Sequence, residues 1–334
     1  MNAATGGIRR RAFMTLVAGT LGAWSLAARA LEPRMPVIGF LSSRSIDADA
    51  QLVVAFHQGL AESGFVEGRN VTVEYRWAHG QYARLPTLAA ELVSKPVAVL
   101  VSTGGTVSAR AAKASTKNIP IVFTTADDPV KVGLVDSLSR PGGNVTGITA
   151  SFIESASKRI GLLHELLPKA STIAFLVNPT NPATVTESSE VRDAVQAVGQ
   201  QVKVLSASSE RDIDTAFENL KQMRADALLI AVDPFFFARA DQLVALAARQ
   251  RIPTLYFRRE FAVAGGLMAY GSNFAKLFHI VGVYAGRILK GAKPGELPVQ
   301  QPTKFDLVIN LRTAKALDLE IPATLLARAD EVIE

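Results

Sequence analysis

The chain has 334 residues, 49% of them hydrophobic and 20% charged, which excludes general disorder and leaves enough apolar surface for two cored domains. It contains no cysteine, so disulfide staples, thiolate metal sites, thiol nucleophiles and a lipidated N-terminal cysteine are all excluded. The formal charge of +6 suggests an acidic partner, but Arg9, Arg10, Arg11 and Arg29 lie in a first stretch of 30 residues without Asp or Glu. The remainder holds 32 basic against 30 acidic residues, so nucleic acid is not expected as a partner.

That first stretch reads as an export leader. Arg9-Arg10-Arg11 is a positive n-region, Phe13 to Leu26 is moderately apolar, and Ala28-Arg29-Ala30 places small residues where a signal peptidase cuts. Arg10-Arg11-Ala12-Phe13-Met14 is similar to a twin-arginine signal. The run is short for a membrane span, and nothing later approaches 18 consecutive apolar residues. The expectation is a signal peptide over 1–30, cleaved near Ala30, and a periplasmic chain from Leu31 without a membrane anchor of its own.

Beyond the leader, short apolar runs alternate with amphipathic stretches. Val37 to Leu41 predicts a buried strand, followed by a helix through Phe56 to Leu60 that ends at Gly64. Val71, Val73, Tyr75 and Trp77 alternate with polar residues as in a half-buried strand. Leu85 to Val93 predicts a helix, with Pro86 in its first turn where a missing N–H is harmless. Strand Val97 to Ser102, helix Thr106 to Ala114 and strand Ile119 to Phe123 follow. Arg140-Pro141-Gly142-Gly143-Asn144 breaks the rhythm as a loop. A second series then predicts strands at Ile173 to Val177, Val202 to Leu205, Ala227 to Val232 and Thr254 to Phe257, alternating with helices at Val191 to Val198, Ile213 to Met223 and Ala238 to Arg249. The fold class is α/β, with two doubly wound parallel-sheet lobes joined by a hinge near residue 150.

Catalytic signals are thin. His57, His79, His164 and His279 form no metal-spaced pair, and GxSxG, GxGxxG and GxxxxGK[ST] are all missing from the sequence. The chain is therefore expected to be no enzyme, with no metal and no cofactor. Binding signals are richer, because ligands of open α/β sheets sit at the carboxyl ends of the strands. The first strand ends at Ser42. The third ends in Thr103-Gly104-Gly105-Thr106, whose backbone and following helix suit an anion such as a carboxylate. Phe123 leads to Thr125 and Asp128, and Asp128 suits either a helix cap or a ligand amino group. In the second half, Val177 leads to Asn178 and Asn181, and Val232 leads to Asp233-Pro234-Phe235-Phe236-Phe237. Three consecutive phenylalanines cannot all face one core, so at least one should line a cleft or the interface between lobes. Phe123, Phe235 and Tyr256 are the candidate apolar walls.

Several stretches together resemble one known family. They are Gly64-Phe65-Val66-Glu67-Gly68-Arg69-Asn70, Glu74-Tyr75-Arg76-Trp77, Ile119 to Phe123, Asp128-Pro129-Val130, Arg140 to Gly147, Asn178-Pro179, Asp233 to Phe236, Gly265-Gly266-Leu267-Met268 with Tyr270-Gly271, and Gln301-Pro302-Thr303-Lys304-Phe305. In order, they make the chain similar to ABC transporter substrate-binding proteins related to the tryptophan-binding component of bacterial uptake systems, with the type I periplasmic binding protein fold. The resemblance implies three crossings between lobes, with 31–149 plus 266–300 in one lobe and 150–265 plus 301–334 in the other. It implies a monomer that closes on a small polar, amino-acid-like ligand and hands it to an ABC permease of the inner membrane, or alternatively to a chemoreceptor or sensor kinase. It places the ligand carboxylate at Gly104 to Thr106, the ammonium near Asp128 or Asp233, and Tyr270 among the ligand-binding residues. A transcription regulator sharing this fold would carry a helix-turn-helix where this chain has its leader.

Overall fold

Two separate sheets organise the chain. The computed structural model describes residues 35–150, 153–301 and 305–334. The expected signal peptide over 1–30 with its cleavage near Ala30, and Pro302-Thr303-Lys304 of the last family stretch, lie outside these residues.

The first lobe is a five-stranded, wholly parallel sheet. Its strands are β1 (Val37–Ser42), β2 (Thr72–Trp77), β3 (Val97–Thr103), β4 (Ile121–Thr125) and β5 (Val145–Thr149), in the order β2-β1-β3-β4-β5. Side chains alternate across a strand, so each face builds its own core. Ile38, Phe40, Val99, Val101 and Val122 meet α1 (Ile46–Glu62) on one face. Leu41, Leu100, Ile121 and Phe123 pack on the other against α2 (Leu85–Val93) and α3 (Thr106–Ser115).

The second lobe begins with α4 (Ile153–Leu166). Its strands are β6 (Thr172–Val177), β7 (Gln201–Ser206), β8 (Ala227–Ile230), β9 (Thr254–Tyr256), β10 (Met268–Ser272), β11 (Phe305–Asn310) and β12 (Glu331–Ile333). The sheet order is β12-β11-β10-β9-β8-β6-β7, parallel except where β10 meets β11. The helices α5 (Ala183–Ala197), α6 (Glu210–Met223), α7 (Pro234–Phe237), α8 (Ala240–Arg249) and α9 (Arg259–Val263) connect the strands up to β10. The short helices α11 (Leu311–Ala316) and α12 (Ala323–Leu326) lie between β11 and β12.

The helix α10 (Phe274–Leu289) returns to the first lobe, where Leu277, Phe278, Val281 and Tyr284 join the core of α1. The two helices cross with almost no space between them. A Cβ at Gly59 would fall 1.9 Å from the His279 carbonyl oxygen, and one at Gly282 would fall 2.1 Å from that of Phe56. The second passage between lobes therefore comes at Asn273, after β10, and not at 266 as the resemblance implied. Met268–Ser272 cannot belong to the first lobe, because it is hydrogen-bonded between β9 and β11. The first and third passages run side by side: the Thr149 N–H donates to the Gln300 carbonyl at 2.9 Å, and Gln300 N–H to that of Gly147 at 3.0 Å. Asn273 ties the second passage to the second lobe by donating from Nδ2 to Asp306 Oδ2 at 3.1 Å, while its Oδ1 caps α10.

Candidate functional site

Carboxyl ends of strands from both sheets face one another across a cleft of about 600 Å3, measured to its open mouth. The first lobe contributes Arg44 after β1, Gly104 and Gly105 of the turn after β3, Thr106 and Val107 at the start of α3, and Thr124 to Ala126 at the end of β4. The second contributes Asn181, Val232 to Pro234, Phe237, Phe257 and Arg258. Phe274 and Leu277 close one side from α10.

The glycine turn behaves as its sequence implies. Gly104 and Gly105 have φ of +85° and +93°, which L side chains rarely adopt, and Gly105 starts α3 with no side-chain cap. The Ser43 hydroxyl donates to the Gly104 carbonyl at 2.7 Å, holding the β1 and β3 loops together. The Thr106 hydroxyl donates to Asp127 Oδ2 at 2.5 Å and meets the Thr125 hydroxyl. Burial pushes Asp127 above the ordinary carboxylate range, with the Thr106 hydrogen bond and then Arg110 opposing it.

Asp233 sits at the centre of the second lobe's wall. Asp followed by Pro is a helix start, the carboxylate capping and the ring supplying the first-turn φ. Here Oδ1 accepts from Phe235 N–H at 2.8 Å and Phe236 N–H at 3.2 Å. Asn178 Nδ2 donates to Oδ1 at 3.2 Å and Asn181 Nδ2 to Oδ2 at 2.7 Å. Tyr82, from the first lobe, adds its hydroxyl to both oxygens. Burial raises the Asp233 pKa, and the Asn181 and Asn178 donors oppose that shift most strongly.

Six of the sequence candidates line this cleft: Gly104, Gly105, Thr106, Thr125, Asn181 and Asp233. The others have different placements. Ser42 is buried and donates to Asp49 Oδ2 at 3.3 Å, Thr103 is buried beneath the turn, and Asn178 stands behind Asp233. Asp128 accepts from the Val130 and Lys131 N–H groups at 2.9 and 3.3 Å, so it caps a turn. It also lines an adjoining acidic pocket with Asp127, Lys131, Glu187 and Glu190. Phe123 and Tyr256 are wholly buried in the cores of their lobes, Tyr256 stacked on Phe261 at 4.8 Å, and are not cleft walls. Tyr270 stacks on Phe305 at 5.7 Å and is not among the cleft-lining residues. Phe235 packs on Phe236, and it is Phe237 that reaches the cleft.

Two arginines on the wall had no sequence signal. Arg44 is 4% exposed; its Nε donates to Asp49 Oδ1 at 2.5 Å, while Nη2 is shielded from solvent without a hydrogen-bond partner. Arg258 is 1% exposed and pairs with Glu260 at 2.7 Å. Its guanidinium lies between two rings, 3.6 Å from the centroid of Phe237 and 4.1 Å from that of Phe274. Burial pulls its pKa down, Glu260 opposes this, and Arg44 pushes it down further. The signal that could have found them is position: each immediately follows a strand end, Arg44 by two residues after Ser42 and Arg258 by two after Tyr256.

Comparison with known proteins matches this architecture. A "Tyrosine-binding protein" of Clostridioides difficile is 28% identical over 267 residues, covering 79% of this chain and 76% of that protein. A crystal structure of a conserved domain protein from Vibrio cholerae superposes with a TM-score of 0.83 at 27% identity, covering 90% of this chain and all of that one. A Streptococcus pneumoniae ABC domain in complex with L-Trp shares the fold, with a TM-score of 0.81 at 24% identity over 89% of this chain and 99% of its own. The family described as ABC transporter substrate binding protein matches residues 35–333. The chain belongs to the ABC transporter substrate binding protein family.

Proposed function

We propose that this protein captures a small amino-acid-like ligand, with an aromatic side chain favoured, in the periplasm and delivers it to an ABC permease. The observation that carries the reading is the cleft itself, walled by strand ends of both lobes and crossed by passages that can act as a hinge. Phe237, Phe257 and Leu277 offer an apolar wall beside a polar floor of threonines, an asparagine and backbone amides. The tyrosine-binding relative supports an aromatic amino acid as the cargo. Closure would enclose the ligand and create the surface that the permease recognises, and the protein acts as a monomer with no chemistry of its own.

The test is thermal unfolding of the purified protein against a panel of amino acids, aromatic acids, sugars and purines. A ligand at a hundred times its Kd adds about 2.7 kcal/mol, roughly 5 °C for a protein of this size. A shift confined to aromatic amino acids is the expected result. A shift with sugars or purines alone would remove the proposed cargo.

A further inference from the structure

We propose that Arg44 adds a buried guanidinium to the amino end of α3, where the family resemblance already places the ligand's carboxylate, and that Arg258 closes over this anion subsite from the second lobe. This rests on the binding-protein reading and adds which charge of the ligand the cleft selects. Arg44 is the principal observation. A buried guanidinium nitrogen without an acceptor is costly to keep desolvated, and Nη2 of this cleft-lining side chain is such a nitrogen. The second observation is the neighbouring turn. The Ser43–Gly104 hydrogen bond sets Arg44 beside the start of a ten-residue helix that has no side-chain cap, so amide donors and the guanidinium share one corner.

The opposite wall has matching charge. Arg258 is buried between Phe237 and Phe274, and its position in the second lobe brings a second cation to the same cleft. Each guanidinium keeps one carboxylate partner, Arg44 with Asp49 and Arg258 with Glu260, and an anion between the lobes would give both a second, shared one. Among the lining residues Asp233 is the one carboxylate, and five donors already engage it, so the wall holds no uncommitted acid for an ammonium group. The cleft should therefore hold a carboxylate tightly and depend little on the amino group.

The test is calorimetric titration of the protein with L-tyrosine, L-tryptophan, their des-amino carboxylic acids, and the amines tyramine and tryptamine. Carboxylates should bind, with the amines about 30-fold weaker or undetectable, the value of a charge-assisted hydrogen bond. Arg44→Gln alone strands the buried Asp49, so the variant to use is Arg44→Gln with Asp49→Asn. It should unfold cooperatively and lose carboxylate affinity by a similar factor. Amines that bind as tightly as the acids, unchanged carboxylate affinity in the folded double variant, or no binding by any carboxylate overturns the subsite. The first two outcomes leave the amino-acid reading standing. Binding of des-amino acids without amino acids supports the subsite and removes that reading.

Discussion

The Tyr82 hydroxyl donates to Asp233 across the cleft, 3.1 Å from Oδ2 and 3.3 Å from Oδ1, and joins the first lobe to the second. Tyr82 stands on the short 3₁₀ turn before α2, and Asp233 caps α7, so neither end of the bond can follow the other if the lobes part. Burial drives the Tyr82 pKa well up, and the Asp233 charge adds to this, so the phenol stays protonated and donating at physiological pH. The bond belongs to a closed arrangement of the two lobes.

Tyr82→Phe should therefore weaken closure and leave each lobe intact. Asp233 keeps four donors in the variant, so the cost is one hydrogen bond to a charged group, about 1.5–3 kcal/mol. Ligand release should quicken by about tenfold or more, and small-angle scattering of the ligand-free protein should show a larger radius of gyration. Unchanged scattering and release would mean that other contacts hold the lobes together.

Asp233 itself is a structural hub before it is anything else. Replacing it with Ala would leave two asparagine amides, a tyrosine hydroxyl and two backbone N–H groups without their acceptor in a buried site. The expected loss is roughly 3 kcal/mol or more, seen in urea unfolding. Asp233→Asn keeps an oxygen for the α7 amides but sets its own NH2 against those of its partners, so an intermediate loss is expected. A loss of affinity from either variant without a loss of stability would return Asp233 to the direct ligand contact that its sequence position suggested.

Most of the alternation from Val37 to Tyr256 was legible from apolar or alternating runs bounded by turns, but β5 and α4 were missed because they follow the loop that was read as a break between the two series. Beyond Tyr256 the rhythm fails. Tyr270 and Gly271 sit in a short strand with an antiparallel neighbour supplied from β11, far along the chain, and no local period marks that pairing. The glycine turn after β3 was legible because its chemistry is backbone chemistry. Arg44 and Arg258 were not, since an arginine in a loop reads as solvated until two lobes bury it. Phe237 was seen only as one of three: which ring faces outward depends on the rotation of a single helical turn. Phe123 lies in the middle of β4 and Tyr256 ends β9, and the sequence does not say which face of a strand buried on both sides its ring will join.

The acidic corner makes a pH prediction. Burial lifts the folded-state pKa of Asp127 above the ordinary 3.8, so between the two values the folded chain holds a proton that the unfolded chain has lost. Stability from this group is complete below about pH 3.8 and falls as pH rises through the folded value. Asp127→Asn cannot titrate and keeps an oxygen for Thr106. Urea unfolding from pH 3.5 to pH 7, on the order of the carboxylate range, should therefore show the wild type losing stability relative to the variant as pH increases. Glu74 and Glu165 work in the other direction, the hydrogen bonds from Lys95 and from Thr324 being the largest causes, and should destabilise both proteins equally as pH falls below 4.5. A wild-type-minus-variant difference that is flat with pH would show that Asp127 is not perturbed.

The two glycines of the β3–α3 turn should respond differently to alanine, which separates backbone strain from close approach. Both have positive φ, and Gly105 at ψ −175° lies in a region essentially confined to glycine, so each substitution costs about 1–3 kcal/mol of conformational strain. At Gly105 the added Cβ would meet only Pro234 Cγ, at an ordinary 3.7 Å, and strain is the whole effect. At Gly104 it would lie 2.3 Å from Ser43 Oγ and 2.7 Å from the Ser43 backbone nitrogen. The β1 loop must then move, breaking the Ser43–Gly104 bond and carrying Arg44 away from the start of α3. Gly104→Ala should cost at least about 3 kcal/mol in urea unfolding and lower carboxylate affinity, whereas Gly105→Ala should lose stability alone. If both variants lose the same stability and neither loses affinity, the contact between the two loops does not set the position of Arg44.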